Sequence, residues 1–303
     1  NFSWANRAEY ERLYTSRSNN MKTYPECLPC LLRQAIQASR LAGADEAKVM
    51  KAAALAEEFL KNVDINNNPP HISRNMHRII RAELGNPDPY LDIKEKYNHI
   101  AMSMFDSMKL RVAKSDDPLL TAIRAAIAGN VIDFGAQLEF DLEADLNDVM
   151  TKQFAVLDYA AFKEALSANK EVLYLGDNTG DTVFDRILIE EIKRIYGTKI
   201  TYVIKESPIL NDALFHDAVF AGIDKTADVI SSGADSPGIV LEYASDDFKR
   251  RFYSAGMIIS KGQGNFESLY GEPVPAFYLL KLKCDVVAKH TGLPLGGIVL
   301  LKG

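Results

Sequence analysis

Short apolar runs in the second half of the chain constrain its fold more than any other feature. Val172-Leu173-Tyr174-Leu175, Ile200-Thr201-Tyr202-Val203-Ile204, Val229-Ile230 and Met257-Ile258-Ile259 are rich in β-branched and aromatic residues. They lack the strict alternation of a half-exposed strand, so they read as parallel strands buried on both faces. Between the first two lies Phe184 to Tyr196, with apolar residues at Ile187, Leu188, Ile192 and Ile195. That spacing predicts a helix long enough for a right-handed crossover. Phe277 to Leu282, a short helix over Asp285 to His290, and Ile298 to Leu301 continue the alternation.

The first half has a different texture. From Cys27 to about Ala113, apolar residues recur at helical steps, as in Leu28, Leu31, Leu32, Ala35, Ile36 and again in Val49, Ala53, Ala56, Leu60. The breakers Asn66-Asn67-Asn68-Pro69-Pro70 and Gly85-Asn86-Pro87-Asp88-Pro89 divide it into separate helices. A further helix, Pro118 to Ala128, is expected to close at Gly129-Asn130 in a left-handed cap, with a turn over Asn130 to Phe134. The expectation is α/β: a doubly wound, mostly parallel Rossmann-like sheet with an N-terminal all-helical domain. The helical bundle is assigned to residues 21–113 and the α/β domain, carrying any metal and phosphate site, to 114–303. Residues 1–20 hold the only tryptophan, Trp4, and read as an extension or a vector-derived stretch before Met21.

A chain of 303 residues with 47% hydrophobic and 25% charged residues has enough apolar mass for such a core, which excludes wholesale disorder. Its 35 Lys and Arg against 41 Asp and Glu leave a formal charge of −6, so no general field favours polyanions and nucleic acid is excluded as a primary partner. There is no apolar run of about 18 residues and no signal-like leader, giving a cytoplasmic, membrane-free expectation.

Polar residues follow the strands where open α/β sheets bind ligands, at the strand carboxyl ends. Gly176-Asp177-Asn178-Thr179-Gly180-Asp181 supplies a carboxylate and an amide carbonyl, hard oxygen donors for Mg²⁺ or Mn²⁺. The simpler reading is an Asx turn with Asp capping the next helix. The second strand leads through Lys205 to Asn211-Asp212, placed at the start of a helix, where Asp212 is either a third ligand or an N-cap. The strand Met257 to Ile259 runs into Ser260-Lys261-Gly262-Gln263-Gly264-Asn265-Phe266-Glu267, read as a glycine-rich loop whose N–H groups and lysine suit an anion. The nucleoside-triphosphate P-loop order is absent, as are the dinucleotide fingerprint and the nucleophile-elbow serine motif. Thr179 stands where a D-x-D phosphatase requires its second aspartate.

Three cysteines are too few for a disulfide scaffold. Cys27-Leu28-Pro29-Cys30 with Cys284 offers a second, soft metal site, a redox pair, or buried packing. His71, His77, His99, His216 and His290 show no ligand or triad spacing.

Taken in order, Cys27-x-x-Cys30, Gly129-Asn130-Val131-Ile132-Asp133-Phe134, Gly176 to Asp181, Asn211-Asp212-Ala213 and Lys261 to Glu267 resemble the metal-dependent damage-control phosphatases, formerly domain-of-unknown-function family eighty-nine, in their mainly prokaryotic, cysteine-pair branch. The resemblance runs from about Thr23 to Leu301. It implies that Asp177, Asn178 and Asp212 hold a divalent metal (Mn²⁺, Mg²⁺, Co²⁺ or Ni²⁺), that Lys261 and Asn265 contact phosphate with Gly262, Gly264 and Glu267 beside them, and that Asn130 and Asp133 line the pocket. Asp181 would orient the attacking water. The implied activity is hydrolysis of phosphomonoesters of small metabolites, such as sugar phosphates or damaged phosphometabolites. The competing expectations are a nonhydrolytic nucleotide- or metal-binding module and an S-adenosylmethionine-dependent methyltransferase, whose first strand normally leads into a glycine-rich loop rather than Asp-Asn.

Overall fold

The computed structural model describes residues 21–130 and 142–303, so the N-terminal stretch, Asp133 and the turn expected after Asn130 lie outside the described residues. Helices α1 (Cys27–Leu41), α2 (Glu46–Leu60) and α3 (Pro69–Leu84) open the chain. Asp45 caps α2 by accepting from Lys48 N at 2.8 Å. Asn68 does the same for α3 from His71 N at 3.0 Å, ahead of Pro69 and Pro70 in the first turn, where a missing N–H costs nothing. Small residues at the crossings (Ala35, Ala38, Ala52, Ala56) let the helices approach around Leu31, Ile72, Met76 and Ile80.

Helices α4 (Leu91–Ser103), α5 (Phe105–Ala113), α6 (Pro118–Gly129) and α7 (Leu142–Thr151) follow. The division expected at residue 113 does not coincide with the division of the core. The buried members of the separate helical cluster end at Tyr90, and Ile93 of α4 packs against both clusters, whereas Ala101 of α4 and Phe105, Met108 and Val112 of α5 pack into the core shared with the sheet.

The remainder alternates strand and helix: β1 (Phe154–Leu157), α8 (Tyr159–Ala168), β2 (Glu171–Leu175), α9 (Asp181–Tyr196), β3 (Lys199–Ile204), α10 (Phe215–Ala221), β4 (Asp228–Ser231), α11 (Asp246–Ser254), β5 (Ile258–Lys261), α12 (Gly262–Leu269), β6 (Ala276–Lys281), α13 (Asp285–Thr291) and β7 (Ile298–Lys302). The sheet order is β1-β7-β6-β5-β2-β3-β4. All pairs are parallel except β6 with β7. Side chains alternate between two cores: Tyr174, Tyr202, Ile259 and Phe277 face one, Leu173, Leu175, Val203 and Ile258 the other. Both faces are covered, which is why these strands read as continuous apolar runs. After β2 the chain steps outward through β3 and β4; after β5 it steps the other way. The carboxyl ends of β2 and β5 therefore flank the topological switch point, where such sheets bind ligands. Among the described residues no helix is long and apolar enough to cross a membrane.

Several local expectations are corrected. Strand β1 was not foreseen; it is only four residues long and merely half-buried, so it carries little apolar signal. The stretch after Lys261 is not a loop, since β5 passes straight into α12 with Gly262 at φ 78°. Asp212 does not begin a helix, because α10 starts at Phe215 after a turn in which Leu210 takes φ 45°. Gly129-Asn130 makes no left-handed cap, as Asn130 is right-handed at φ −73°. Gly129 is needed for packing: a Cβ there would lie 2.7 Å from Phe184 Cδ2, where α6 crosses α9. Phe184 is wholly buried and cannot retreat. Gly129→Ala is therefore expected to cost stability, overpacking of about 1–3 kcal/mol exceeding the gain in helix propensity of at most about 1 kcal/mol. The check is a lower urea midpoint at unchanged m-value.

Candidate active site

The end of β2 turns inside a narrow space. A Cβ at Gly176 would lie 2.5 Å from Tyr202 Oη, so glycine alone lets the chain leave the sheet there. The loop then pairs with the segment after β3: Ala213 N donates to Asp177 O and Thr179 N to Asn211 O, each at 2.8 Å, with an antiparallel bridge between Asn178 and Asp212. Asp177, Asn178 and Asp212, selected from sequence as one ligand set, are thus brought together by backbone bonds.

Their oxygens divide into two classes. Asp177 Oδ2 accepts from Asn130 Nδ2 at 2.6 Å and from Asn178 Nδ2 at 3.2 Å. Asp212 Oδ2 accepts from Gly238 N at 3.3 Å and lies 3.4 Å from the Lys205 ammonium. Asp177 Oδ1, Asn178 Oδ1 and Asp212 Oδ1 accept no hydrogen bond from the described residues. All three residues line a cavity of about 230 Å³, walled on the far side by α1 and α3. At Gly262 a Cβ would fall 1.8 Å from Asp177 Oδ2, so the site exists only because that position is glycine. Burial pushes the Asp212 carboxyl up to about 7, with the Asp177 charge adding and the Lys205 ammonium opposing. Two carboxylates and an amide carbonyl, desolvated and mutually repelling, are the donor set a hard divalent cation satisfies.

The other selected residues fall elsewhere. Lys261 is not on the cavity wall: it is fully buried, its ammonium 2.5 Å from Asp185 Oδ1, and Asp185 also accepts from Tyr174 at 2.7 Å and Tyr202 at 2.8 Å. Asn265 is likewise internal, donating to Gly176 O at 3.0 Å and Lys261 O at 2.8 Å. Asp181 opens α9 behind the ligand loop, fully buried; Asn130 Nδ2 donates to it at 2.6 Å as well as to Asp177, so Asn130 braces both carboxylates. Burial pushes Asp181 up to about 7, with Lys261 opposing and Asp177 and Asp185 adding. Gly264 and Glu267 do line the cavity, together with Gln263 and Lys283. His216 is exposed and does not reach it. Lys205, Asp185 and Gly238 were not singled out from sequence. Only Lys205, directly after β3, carried a usable signal there.

Cys27, Cys30 and Cys284 all line the same cavity, and none of them is joined in a disulfide. Among the described residues no group of three His, Cys, Asp or Glu side chains is placed to hold a metal ion. Burial pushes the Cys27 thiol up to about 11, against reactivity as a thiolate.

The model of the damage-control phosphatase ARMT1-like domain matches residues 23–299. The chain belongs to that family. It is 38% identical over 294 residues to an uncharacterised protein of Methanocaldococcus jannaschii, covering 93% of this chain and 96% of that one. A damage-control phosphatase of Pyrococcus horikoshii is 35% identical over 290 residues, covering 93% and 98% of the two chains. One of Archaeoglobus fulgidus is 33% identical over 286 residues, covering 92% and 98%. The crystal structure of a DUF89 family protein from Pyrococcus horikoshii superposes with a TM-score of 0.84 at 33% identity, over 93% of this chain and 99% of that one.

Within this family fold, Glu267 forms part of the cavity wall through Gln263, whose Nε2 donates to Glu267 Oε1 at 2.7 Å and to Cys284 Sγ at 3.4 Å. Burial pushes the Glu267 carboxyl from 4.5 up to about 7, against the Gln263 hydrogen bond and with a contribution from Asp177. A carboxyl raised on folding stabilises the fold below its unfolded value and loses that contribution as pH climbs toward its folded value. Glu267→Gln removes this dependence. The thermal midpoint of the variant minus that of the wild type, without metal, is expected to grow from pH 4.5 to about 7 and then level off. A flat difference across that window contradicts the assignment.

Proposed function

We propose that this chain is a divalent-metal-dependent phosphatase acting on small phosphorylated metabolites of the cytoplasm. The observation that carries the proposal is the trio of oxygens at the ends of β2 and β3, Asp177 Oδ1, Asn178 Oδ1 and Asp212 Oδ1, which the described residues leave without hydrogen bonds beside a cavity. The damage-control phosphatase names of the archaeal relatives support the same reading over almost the full chain. Asp177, Asn178 and Asp212 would hold Mn²⁺, Mg²⁺, Co²⁺ or Ni²⁺, which supplies Lewis acidity for a phosphoryl oxygen and lowers the pKa of water.

The chain's own groups do the rest. Asn130 and Lys205 each take hold of the far oxygen of one ligand carboxylate, presenting its near oxygen to the cavity. The first turn of α12 has no side-chain cap, so the backbone N–H groups of Gln263 and Gly264, both on the cavity wall, are available for a phosphate oxygen. This moves anion binding from the Lys261 side chain to the helix start that follows it. Helices α1 and α3 shape the space for the group that leaves with the phosphate, through Leu31, Gln34, Pro70 and Ser73. A cavity of about 230 Å³ suits a small metabolite.

The test is hydrolysis of a generic aryl phosphate by metal-stripped protein titrated with Mg²⁺, Mn²⁺, Co²⁺ and Ni²⁺, beside Asp177→Ala and Asp212→Ala. Turnover is expected only with metal, and each variant should lose more than the roughly 10- to 100-fold that an outer-shell substitution costs. A folded wild type without turnover under any metal would point instead to the nonhydrolytic binding module or the methyltransferase.

A further inference from the structure

Asn98 belongs to α4, outside the cavity wall, yet its one amide reaches both ligand-bearing segments. It is 5% exposed. Its Oδ1 accepts from Gly180 N at 3.2 Å and its Nδ2 donates to Asp217 Oδ1 at 2.7 Å, bonds that span 82 and 119 positions of sequence. Gly180, at φ 85°, closes the loop that carries Asp177 and Asn178. Asp217 uses its other oxygen, Oδ2, to accept from Leu214 N at 2.8 Å, two residues beyond Asp212. The two segments are already stitched on the inner side by Ala213 N to Asp177 O and Thr179 N to Asn211 O. Asn98 links them a second time, farther along each strand of chain.

Resting on the metal reading above, we propose that Asn98 is a positioning residue that sets the spacing between the Asp177-Asn178 loop and the Asp212 segment, and so the affinity of the site for a divalent cation. Two stitches near the ligands fix where the segments touch, whereas a third anchor beyond them fixes the angle between them. The chemistry requires an amide. A donor must face Asp217 and an acceptor must face Gly180 N, and an amide offers the two on separate atoms of one short side chain. A carboxylate at position 98 would keep the acceptor but press against the Asp217 charge. The exposed His216 imidazole lies 3.5 Å from Asp217 Oδ1, while the bonds to Gly180 N and Leu214 N are made by Asn98 and Asp217.

The test reads cation binding directly, by the electron paramagnetic resonance signal of free Mn²⁺ titrated into metal-stripped full-length protein. The variants are Asn98→Ala, Asn98→Asp, and the double exchange Asn98→Asp with Asp217→Asn. Thermal midpoints without metal and circular dichroism report folding separately. Asn98→Ala and Asn98→Asp are expected to weaken Mn²⁺ binding about 10- to 100-fold, the range for an outer-shell partner. The double exchange returns a donor–acceptor pair with its roles reversed and is expected to recover most of the loss. A purely structural role would lower the thermal midpoint of the two single variants and leave Mn²⁺ affinity of the folded protein unchanged in all three. Wild-type affinity in folded Asn98→Ala, or a double exchange that binds no better than Asn98→Asp, overturns the proposal. A wild type that binds no Mn²⁺ is a different failure: it overturns the metal reading itself, and this proposal with it.

Discussion

A lysine ammonium closed off from water holds the crevice together from beneath. Lys261 comes from the end of β5, its partner Asp185 from the first turns of α9, and the two tyrosines that also donate to Asp185 from β2 and β3. One cluster therefore ties three adjacent strands, β5, β2 and β3, to the helix that follows β2. The tyrosine rings stack at 5.3 Å between centroids, and burial with the Asp185 charge keeps both phenols protonated as donors. Removing one member of such a buried pair strands the other charge, typically at about 3–5 kcal/mol, so the offset between strand ends is strongly held. That offset decides what happens one residue later. Gly262 follows Lys261 so close to the Asp177 carboxylate that no side chain fits between them.

Above this cluster, acidity outweighs base. Asp177, Asp181 and Asp212 crowd together with Lys205 and Lys261 as the buried cations beside them, and Lys261 is already bonded to Asp185. Desolvation then drives Asp181 and Asp212 up to about 7 instead of leaving them fully ionised like surface carboxylates. A fold that holds carboxylates in this state stabilises them by taking up protons or a cation, and the two compete. The oxygens of Asp177 and Asp212 that carry no hydrogen bond from the described residues are the ones left for that competition, while their bonded oxygens are already committed to Asn130, Lys205 and Gly238.

The sheet, and the meeting of Asp177, Asn178 and Asp212 at its strand ends, were legible because both write themselves into local sequence. Strands buried on two faces appear as unbroken apolar runs, and polar oxygens directly after such a run are unusual enough to mark a site. Depth was not legible. Lys261 in a glycine-rich stretch has the composition of an anion loop, and nothing local reveals that Asp185, 76 residues away, has claimed its charge. Asp185 itself reads as one more polar residue on an amphipathic helix. Asp212 is expected at the start of a helix, and falls before it, because the turn at Leu210, an unusual left-handed position for a leucine, cannot be inferred from residue type. Where the core divides was not legible for a related reason: the periodicity of α4 and α5 shows that they bury a face, not which core receives it.

The same long-range dependence separates two properties of the site. The side-chain oxygens of Asp177, Asn178 and Asp212 are positioned by the sheet, the Lys261–Asp185 cluster and the backbone stitches between the segments after β2 and β3. The opposite wall is positioned by helix docking, in which Arg74 of α3 pairs with Asp235 and lies 3.7 Å from the centre of the Tyr243 ring, while Tyr243 Oη is 2.6 Å from His71 Nε2. Changes in α1 or α3 can therefore reshape the cavity opposite the ligands without moving Asp177, Asn178 or Asp212. Asn98 lies on the other side of that division. It belongs to a helix whose apolar face packs into the sheet core, so what α4 transmits is the spacing of the ligand segments and not the shape of the cavity wall.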